Sequence, residues 1–288
     1  MTVTTSAVDP TFVWLETDHR VAYTEYGDPE GAPALFFHGT PGSRLLAALF
    51  DSAATEAGVR LLAFDRPGFG ESDPWPTRSI TDSGQFVTAL LDDAGVQTAR
   101  YIAFSGGSQH ALAAAVTHHD RVSQLDIVSG ATPPSISDET PAVQRVLGGL
   151  ATWTPLVLRS LLRGQAWLAV RRAPSFVVSQ YRTDDPNTQT DDEVADTVKA
   201  DFVEALSNSR RGAVTEFRNT ASEWNIDFSL LETPIHFWHG ETDTNVPIAD
   251  VRRFDAAVPD STLTVRAHAD HLQTLTESMP HILDRMGD

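Results

Sequence analysis

The chain has 288 residues, of which 41% are hydrophobic and 21% charged, and no cysteine; this suits one large α/β domain and excludes global disorder, disulfides, cysteine-ligated zinc and a cysteine nucleophile. The formal net charge of −18 argues against a nucleic-acid backbone as ligand, and no apolar stretch is long enough to span a membrane, so neither nucleic acid nor membrane is expected as a partner. Met1–Glu16 has neither a basic start nor an apolar run, which predicts no secretory signal and a cytoplasmic location.

Strands are predicted at 12–16 and 20–26, joined by the turn Thr17-Asp18-His19, and at 33–37 after the turn Asp28-Pro29-Glu30-Gly31. A helix is predicted over 43–57, a strand at 59–64, a helix over 79–94, a strand at 100–104, a helix over 109–118 and a strand at 125–128. Apolar strands alternating with helices imply a parallel sheet with crossover helices. From Pro133 this rhythm stops. Residues 141–172 read as helix, 184–192 as a polar break, and 191–208 and 210–224 as two more helices. At Pro234 the α/β rhythm resumes: strand 234–239, helix 247–257, strand 261–266 and helix 273–286. The pattern predicts a core made of 1–133 and 227–288, interrupted by a helical insert at 134–226.

Tyr101-Ile102-Ala103-Phe104-Ser105-Gly106-Gly107 is a strand followed by serine and glycines at the head of a helix. Such a sharp turn exposes a serine hydroxyl and demands small residues two before and two after it, here Ala103 and Gly107. Ser108 is the competing register, but its flank at the same offset is the bulky His110, so Ser105 is the candidate nucleophile. Phe36-Phe37-His38-Gly39-Thr40-Pro41-Gly42 closes an earlier strand with a tight turn that can aim the Thr40 N–H outward. With the Gly106 N–H it would form an oxyanion hole. The loop His239-Gly240-Glu241-Thr242-Asp243 offers two carboxylates, and Ala267-His268-Ala269-Asp270-His271 offers two imidazoles. The order serine, acid, histidine is that of the α/β-hydrolases.

The sequence resembles the α/β-hydrolase-fold serine hydrolases over about 20–133 and 230–288. HGTPGS resembles the family's oxyanion turn, DRPGFGES at 65–72 its following loop, and FSGGSQHALA its nucleophile elbow. HGETDTNVP and ADHL resemble its acid and histidine loops. The resemblance implies a mostly parallel eight-stranded sheet flanked by helices, with the helical insert as a cap. It selects Asp243 over Glu241 and His271 over His268. Two departures stand out: Ala103 replaces the first elbow glycine, and Asp270 replaces the glycine before the histidine, placing a carboxylate beside the base. The implied activity is hydrolysis of carboxylic esters through Ser105, His271 and Asp243 without metal or cofactor.

The leucines and tryptophans of the insert predict a small-molecule substrate with an apolar acyl or alcohol group. Leu147, Leu150, Trp153, Leu161 and Trp167 are expected to roof Ser105. Trp153 and Trp167 are the candidate substrate contacts, against the alternative that they form the core of the insert. Proline iminopeptidase, lactonase and carbon–carbon hydrolase activity are the alternatives on this fold, and a non-catalytic binding protein is the alternative outside enzymes. Glu204, Glu216 and Glu223 are the acids that an aminopeptidase would use to hold the substrate ammonium. Dehalogenation is disfavoured because those relatives carry Asp at the elbow. Asp65 and Arg66 are expected to stabilise their own loop, and His118-His119 to suit a helix C-terminus rather than a metal.

Lys199 is the single lysine against 20 arginines, and 26 Asp accompany 13 Glu. This composition resembles that of proteins from salt-accumulating halophilic archaea, with codon bias as the alternative. Self-repulsion at this charge is relieved by salt.

Overall fold

The computed structural model describes residues 9–137, 141–182 and 190–287. Strands β1 (Thr11–Trp14), β2 (Arg20–Gly27), β3 (Ala32–Phe37), β4 (Val59–Phe64), β5 (Ala99–Phe104), β6 (Val122–Val128), β7 (Ile235–Gly240) and β8 (Ser261–Arg266) form one eight-stranded sheet. Its order is β1-β2-β4-β3-β5-β6-β7-β8. The first two pairings, β1 with β2 and β2 with β4, are antiparallel; the others are parallel.

The helices are α1 (Asp51–Glu56), α2 (Ser83–Asp93), α3 (Ser108–Thr117), α4 (Ala142–Trp153), α5 (Pro155–Arg171), α6 (Ser175–Val178), α7 (Asp192–Ala205), α8 (Arg211–Thr220), α9 (Ile248–Ala257) and α10 (His271–Gly287). Period-two alternation splits the strand side chains between two cores. Leu35, Phe37, Leu62, Phe64 and Tyr101 pack on one face with side chains of α2, α3 and α9. Ala34, Phe36, Leu61, Ala63, Ile102 and Phe104 pack on the other with α1, α10 and the insert helices α5 and α7. Both faces being covered explains why the central strands are continuous apolar runs rather than alternating ones.

Two elements differ from expectation. The helix expected at 43–57 begins as a 3₁₀ helix over Arg44–Phe50, capped by the Ser43 side chain, before α1. The helix expected at 141–172 is two helices, because Pro155 has no N–H to continue the α4 ladder and starts α5 instead. Between β6 and β7 the described residues hold helices α4–α8 and a short 3₁₀ turn, and no strand.

Candidate active site

Ser105 follows β5, Thr40 follows β3, Asp243 follows β7 and His271 follows β8. All four therefore sit at the carboxyl-end edge of the parallel strands, where open α/β sheets place their ligands. Ser105 has φ 52°, a left-handed conformation that costs a non-glycine residue about 1–3 kcal/mol. It is fixed by the close packing around it. A Cβ on Gly107 would stand 2.5 Å from the Phe37 carbonyl oxygen and 2.8 Å from that of His38. The small residue at 107 is thus demanded by the end of β3, and not only by its partner in the elbow. A Cβ on Gly106 would stand 2.4 Å from Thr40 Oγ1, and one on Gly39 would stand 3.5 Å from Ser105 Cβ. Ser105, Gly106 and the Gly39–Thr40 turn are in this way pressed together. The competing serine is occupied elsewhere: the buried Ser108 hydroxyl donates to the Ala131 carbonyl at 2.9 Å.

His271 Nδ1 lies 2.7 Å from Asp243 Oδ2, and both side chains are buried. The other oxygen of Asp243 accepts the Asn245 and Val246 N–H groups at 2.9 and 3.0 Å. Burial alone would raise the Asp243 pKa, but His271, the nearby His239 and the Val246 N–H outweigh it and hold the carboxyl below its ordinary value. An ionised Asp243 requires a hydrogen on His271 Nδ1, which leaves Nε2 as the basic nitrogen. The His271 ring packs on Phe104, the residue before Ser105, at 4.9 Å between centroids, and Tyr181 stacks on it at 6.3 Å. His268 and Glu241, the rival base and acid, are exposed.

Asp270 does not act on its neighbour simply as a loose charge. Its carboxylate accepts the Gln273 N–H at 2.9 Å while the Gln273 side chain accepts the Asp270 N–H at 2.9 Å. This reciprocal capping box starts α10 at His271. The second oxygen of Asp270 faces Arg182 at 3.4 Å.

Sequence patterns give no hint of the polar framework beneath the Gly39–Thr40 turn. The buried Arg66 guanidinium donates to the carbonyls of His38 and Gly39 and to Thr40 Oγ1. His38 is fixed as a neutral ring: its Nε2 accepts the Arg66 N–H at 3.1 Å and its Nδ1 donates to the Gly39 carbonyl at 2.7 Å. Burial, reinforced by Arg66, pushes its pKa well below the ordinary value. Arg66 is in turn held by Glu216 of α8, whose carboxylate also takes Arg78, Gln109 at 3.0 Å and His110 at 2.8 Å. Glu216 is fully buried, which works against ionisation, but His110, Arg78 and Arg66 hold its pKa well below the ordinary range. His110 is pushed down to about 4 by burial, so it is neutral near pH 7; its Nε2 donates to Glu216, and its Nδ1 lies 2.7 Å from the Ser83 hydroxyl oxygen. Asp65 organises its own loop, accepting from Arg44 and from the Glu71 N–H.

A small cavity of about 10 Å³ lies between the Gly39–Pro41 turn and the insert, walled by Leu46, Phe104, Tyr181, Val198, Asp201 and Leu272. That volume is room for about one water. Asp201 of α7 is buried here and accepts the Ser43 N–H at 2.6 Å and hydroxyl at 2.8 Å. Burial raises its pKa to about 7. Trp153 and Trp167, the expected substrate contacts, do not reach this cavity: they are 84% and 57% exposed. Leu161 is also exposed, while Leu147 and Leu150 pack in the core that contains Phe104. Among the described residues no group of three metal-ligating side chains occurs.

Residues 33–278 match the family described as alpha/beta hydrolase fold. A haloalkane dehalogenase from Mycobacterium marinum is 27% identical over 172 residues, 58% of this chain and 56% of that protein; the chain thus spans about half the length of this curated relative. A bromoperoxidase from Bacillus anthracis has a TM-score of 0.74 at 18% identity, over 94% of this chain and 96% of that one. An esterase from Rhodococcus sp. ECU1013 has a TM-score of 0.71 at 17% identity, over 97% and 100% of the two chains. At these identities the structural likeness concerns the fold alone.

Proposed function

Because the chain belongs to the α/β-hydrolase fold family, we propose that it is a serine hydrolase of carboxylic esters with Ser105 as nucleophile, His271 as base and Asp243 as its orienting acid. The observation that carries this reading is the 2.7 Å Asp243–His271 pair packed against Phe104, next to a serine in the elbow conformation. Ser105 Oγ attacks the ester carbonyl carbon while His271 Nε2 takes the hydroxyl proton, and Asp243 stabilises the imidazolium. The N–H groups of Thr40 and Gly106 receive the oxyanion. Collapse expels the alcohol, to which His271 returns the proton. Water then attacks the acyl-serine by the same path and releases the acid.

The insert at 134–226 acts as a cap over this site. Tyr181, Val198 and Asp201 supply the insert's side of the cavity that Phe104 and the Gly39–Pro41 turn wall from the core. The mostly apolar wall favours an apolar acyl or alcohol group. The aminopeptidase alternative is weakened because its candidate acids are engaged or exposed. Glu216 is saturated by cations and amide, Glu204 pairs with Arg44, and Glu223 is exposed. The serine at the elbow separates the chain from an Asp-nucleophile dehalogenase chemistry. Cytoplasmic action in a halophile is the setting that the charge of −18 supports.

Ser105→Ala is expected to abolish fluorophosphonate labelling and to lower kcat on a p-nitrophenyl ester by on the order of 10⁶-fold, with Ser108→Ala still active. An inactive Ser108→Ala beside an active Ser105→Ala overturns the assignment. Proline amides and lactones tested alongside the esters separate the chemistries available to this fold.

A further inference from the structure

Residues 141–182 contain six arginines and no Asp or Glu. Removing those six positive charges from the total of −18 leaves −24 on the rest of the chain. The stretch covers α4 and α5, and it is also where exposed apolar side chains concentrate. Trp153 (84% exposed), Leu156 (70%) and Trp167 (57%) stand out, with Leu161 and Val170 beside them. Helix α5 buries Leu158, Leu162, Ala166 and Ala169 and so needs a polar outer face if that face meets only water. Outside that buried side α5 carries Leu156, Leu161, Trp167 and Val170, with Arg163 and Arg171, instead.

Arg182 pairs with Asp270, but the other five arginines lack the partners that an acid-rich chain could readily supply. Among the described residues Arg145, Arg159, Arg163, Arg171 and Arg172 form no ion pair, whereas the surface residues Arg20, Arg60 and Arg121 each hold a carboxylate. Arg171 lies over the Trp167 ring at 4.1 Å. Arg159 and Arg163 are close enough to Arg210 to lower its pKa, in addition to its burial. A mutually repelling set of cations has been kept free of acids on one face of a strongly anionic molecule.

We propose that the α4–α5 face docks on the surface of a bilayer carrying anionic lipid headgroups. Tryptophan and leucine side chains immersed at the headgroup boundary, flanked by cations that meet lipid phosphates, are the two signals that surface binding requires. Such docking is distinct from spanning; no described helix is long and apolar enough to cross a membrane. A second copy apposed on the same face would bring these arginines against their own equivalents, which makes it the poorer occupant. The rest of the chain, at −24, would be turned away from the bilayer.

The test is flotation of the full chain with vesicles of phosphatidylglycerol and phosphatidylcholine in equal parts, against pure phosphatidylcholine, at the lowest salt that keeps the far-UV circular dichroism native. The wild type is expected to float with the anionic vesicles at least tenfold more than with the neutral ones. Trp153→Ala/Trp167→Ala and Arg163→Gln/Arg171→Gln/Arg172→Gln are each expected to lose at least tenfold of that binding with unchanged circular dichroism. Failure of the wild type to float, or flotation of either variant equal to that of the wild type, overturns the proposal. So does sedimentation equilibrium showing a dimer that Trp153→Ala/Trp167→Ala converts to monomer without any vesicle binding, which would assign the face to a second copy.

Discussion

Removing the Glu216 carboxylate tests whether the buried framework under the Gly39–Thr40 turn holds the site together. In Glu216→Ala, Arg66 keeps its bonds to His38, Gly39 and Thr40, but Arg78 keeps only a 3.3 Å bond to the Pro67 carbonyl. Nε and Nη1 of Arg78 already lack partners, and its side chain is fully buried. Breaking a buried ion pair from one side costs about 3–5 kcal/mol. Here one carboxylate serves two guanidiniums, so the upper half of that range is expected. For a chain of this size the loss corresponds to a melting temperature lower by about 10 °C. Thermal melts at fixed salt measure it. The double variant Arg78→Met/Glu216→Ala removes the stranded cation as well and is expected to recover at least half of the lost stability. A Glu216→Ala loss within about 1 kcal/mol, the size of an exposed pair, or a double variant less stable than the single one, refutes the reasoning. Since Arg66 links Glu216 to the turn that bears Thr40, Glu216→Ala is also expected to lower kcat more than it changes KM.

Two further perturbations address the electrostatics. Asp201, raised to about 7, binds its proton more tightly folded than unfolded, so its contribution to stability is complete below its ordinary value of 3.8 and is lost as pH rises to about 7. Asp201→Asn keeps an acceptor for Ser43 and cannot ionise; the melting temperature of the variant relative to wild type is expected to rise between pH 4 and 7 and level off above, and a difference constant with pH contradicts this. The charge of −18 is expected to give a melting temperature that climbs from dilute buffer to multimolar KCl, as the Debye length falls from about 8 Å at 0.15 M to about 3 Å at 1 M. A flat or falling series returns the composition to codon bias.

The strands and the catalytic candidates are legible in the sequence because their signals are local. Phe36 and Phe37 point to opposite faces by the alternation of any strand, and the functional groups sit in the turns that end β3, β5, β7 and β8. The spacing Asp270-His271-Leu272-Gln273 is equally local and has the form of a capping box, although reading Asp270 only as a charge beside the base overlooks it. What stays hidden depends on contacts across the chain. Glu216 stands 150 positions from Arg66 and 106 from His110, so composition cannot distinguish it from Glu204 or Glu223. Periodicity also fails to orient α5. With Leu158 and Leu162 on one side and Leu161 and Trp167 on the other, both faces qualify as inward, and only packing against α4, α7 and α8 decides between them.

The preference for arginine over lysine has a structural side that composition alone does not convey. Arg66 satisfies the carbonyls of His38 and Gly39, the Thr40 hydroxyl and the Glu216 carboxylate from one planar group with no exposure. A lysine ammonium has three donors on a single nitrogen and could not span acceptors distributed around the plane of a guanidinium. Arg44 also bridges two carboxylates, those of Asp65 and Glu204, but through the single nitrogen Nη1. Arg44 faces two carboxylates and Arg66 shares one with Arg78; four arginines and seven acids are buried among the described residues, so most of the net charge of −18 is carried outside the interior. That surface charge is therefore free to respond to salt while the framework of the site, buried and paired, is expected to depend far less on it. Helices α4 and α5 differ: among the described residues Arg145, Arg159, Arg163, Arg171 and Arg172 form no ion pair, whereas Arg44, Arg66 and Arg78 each hold a carboxylate.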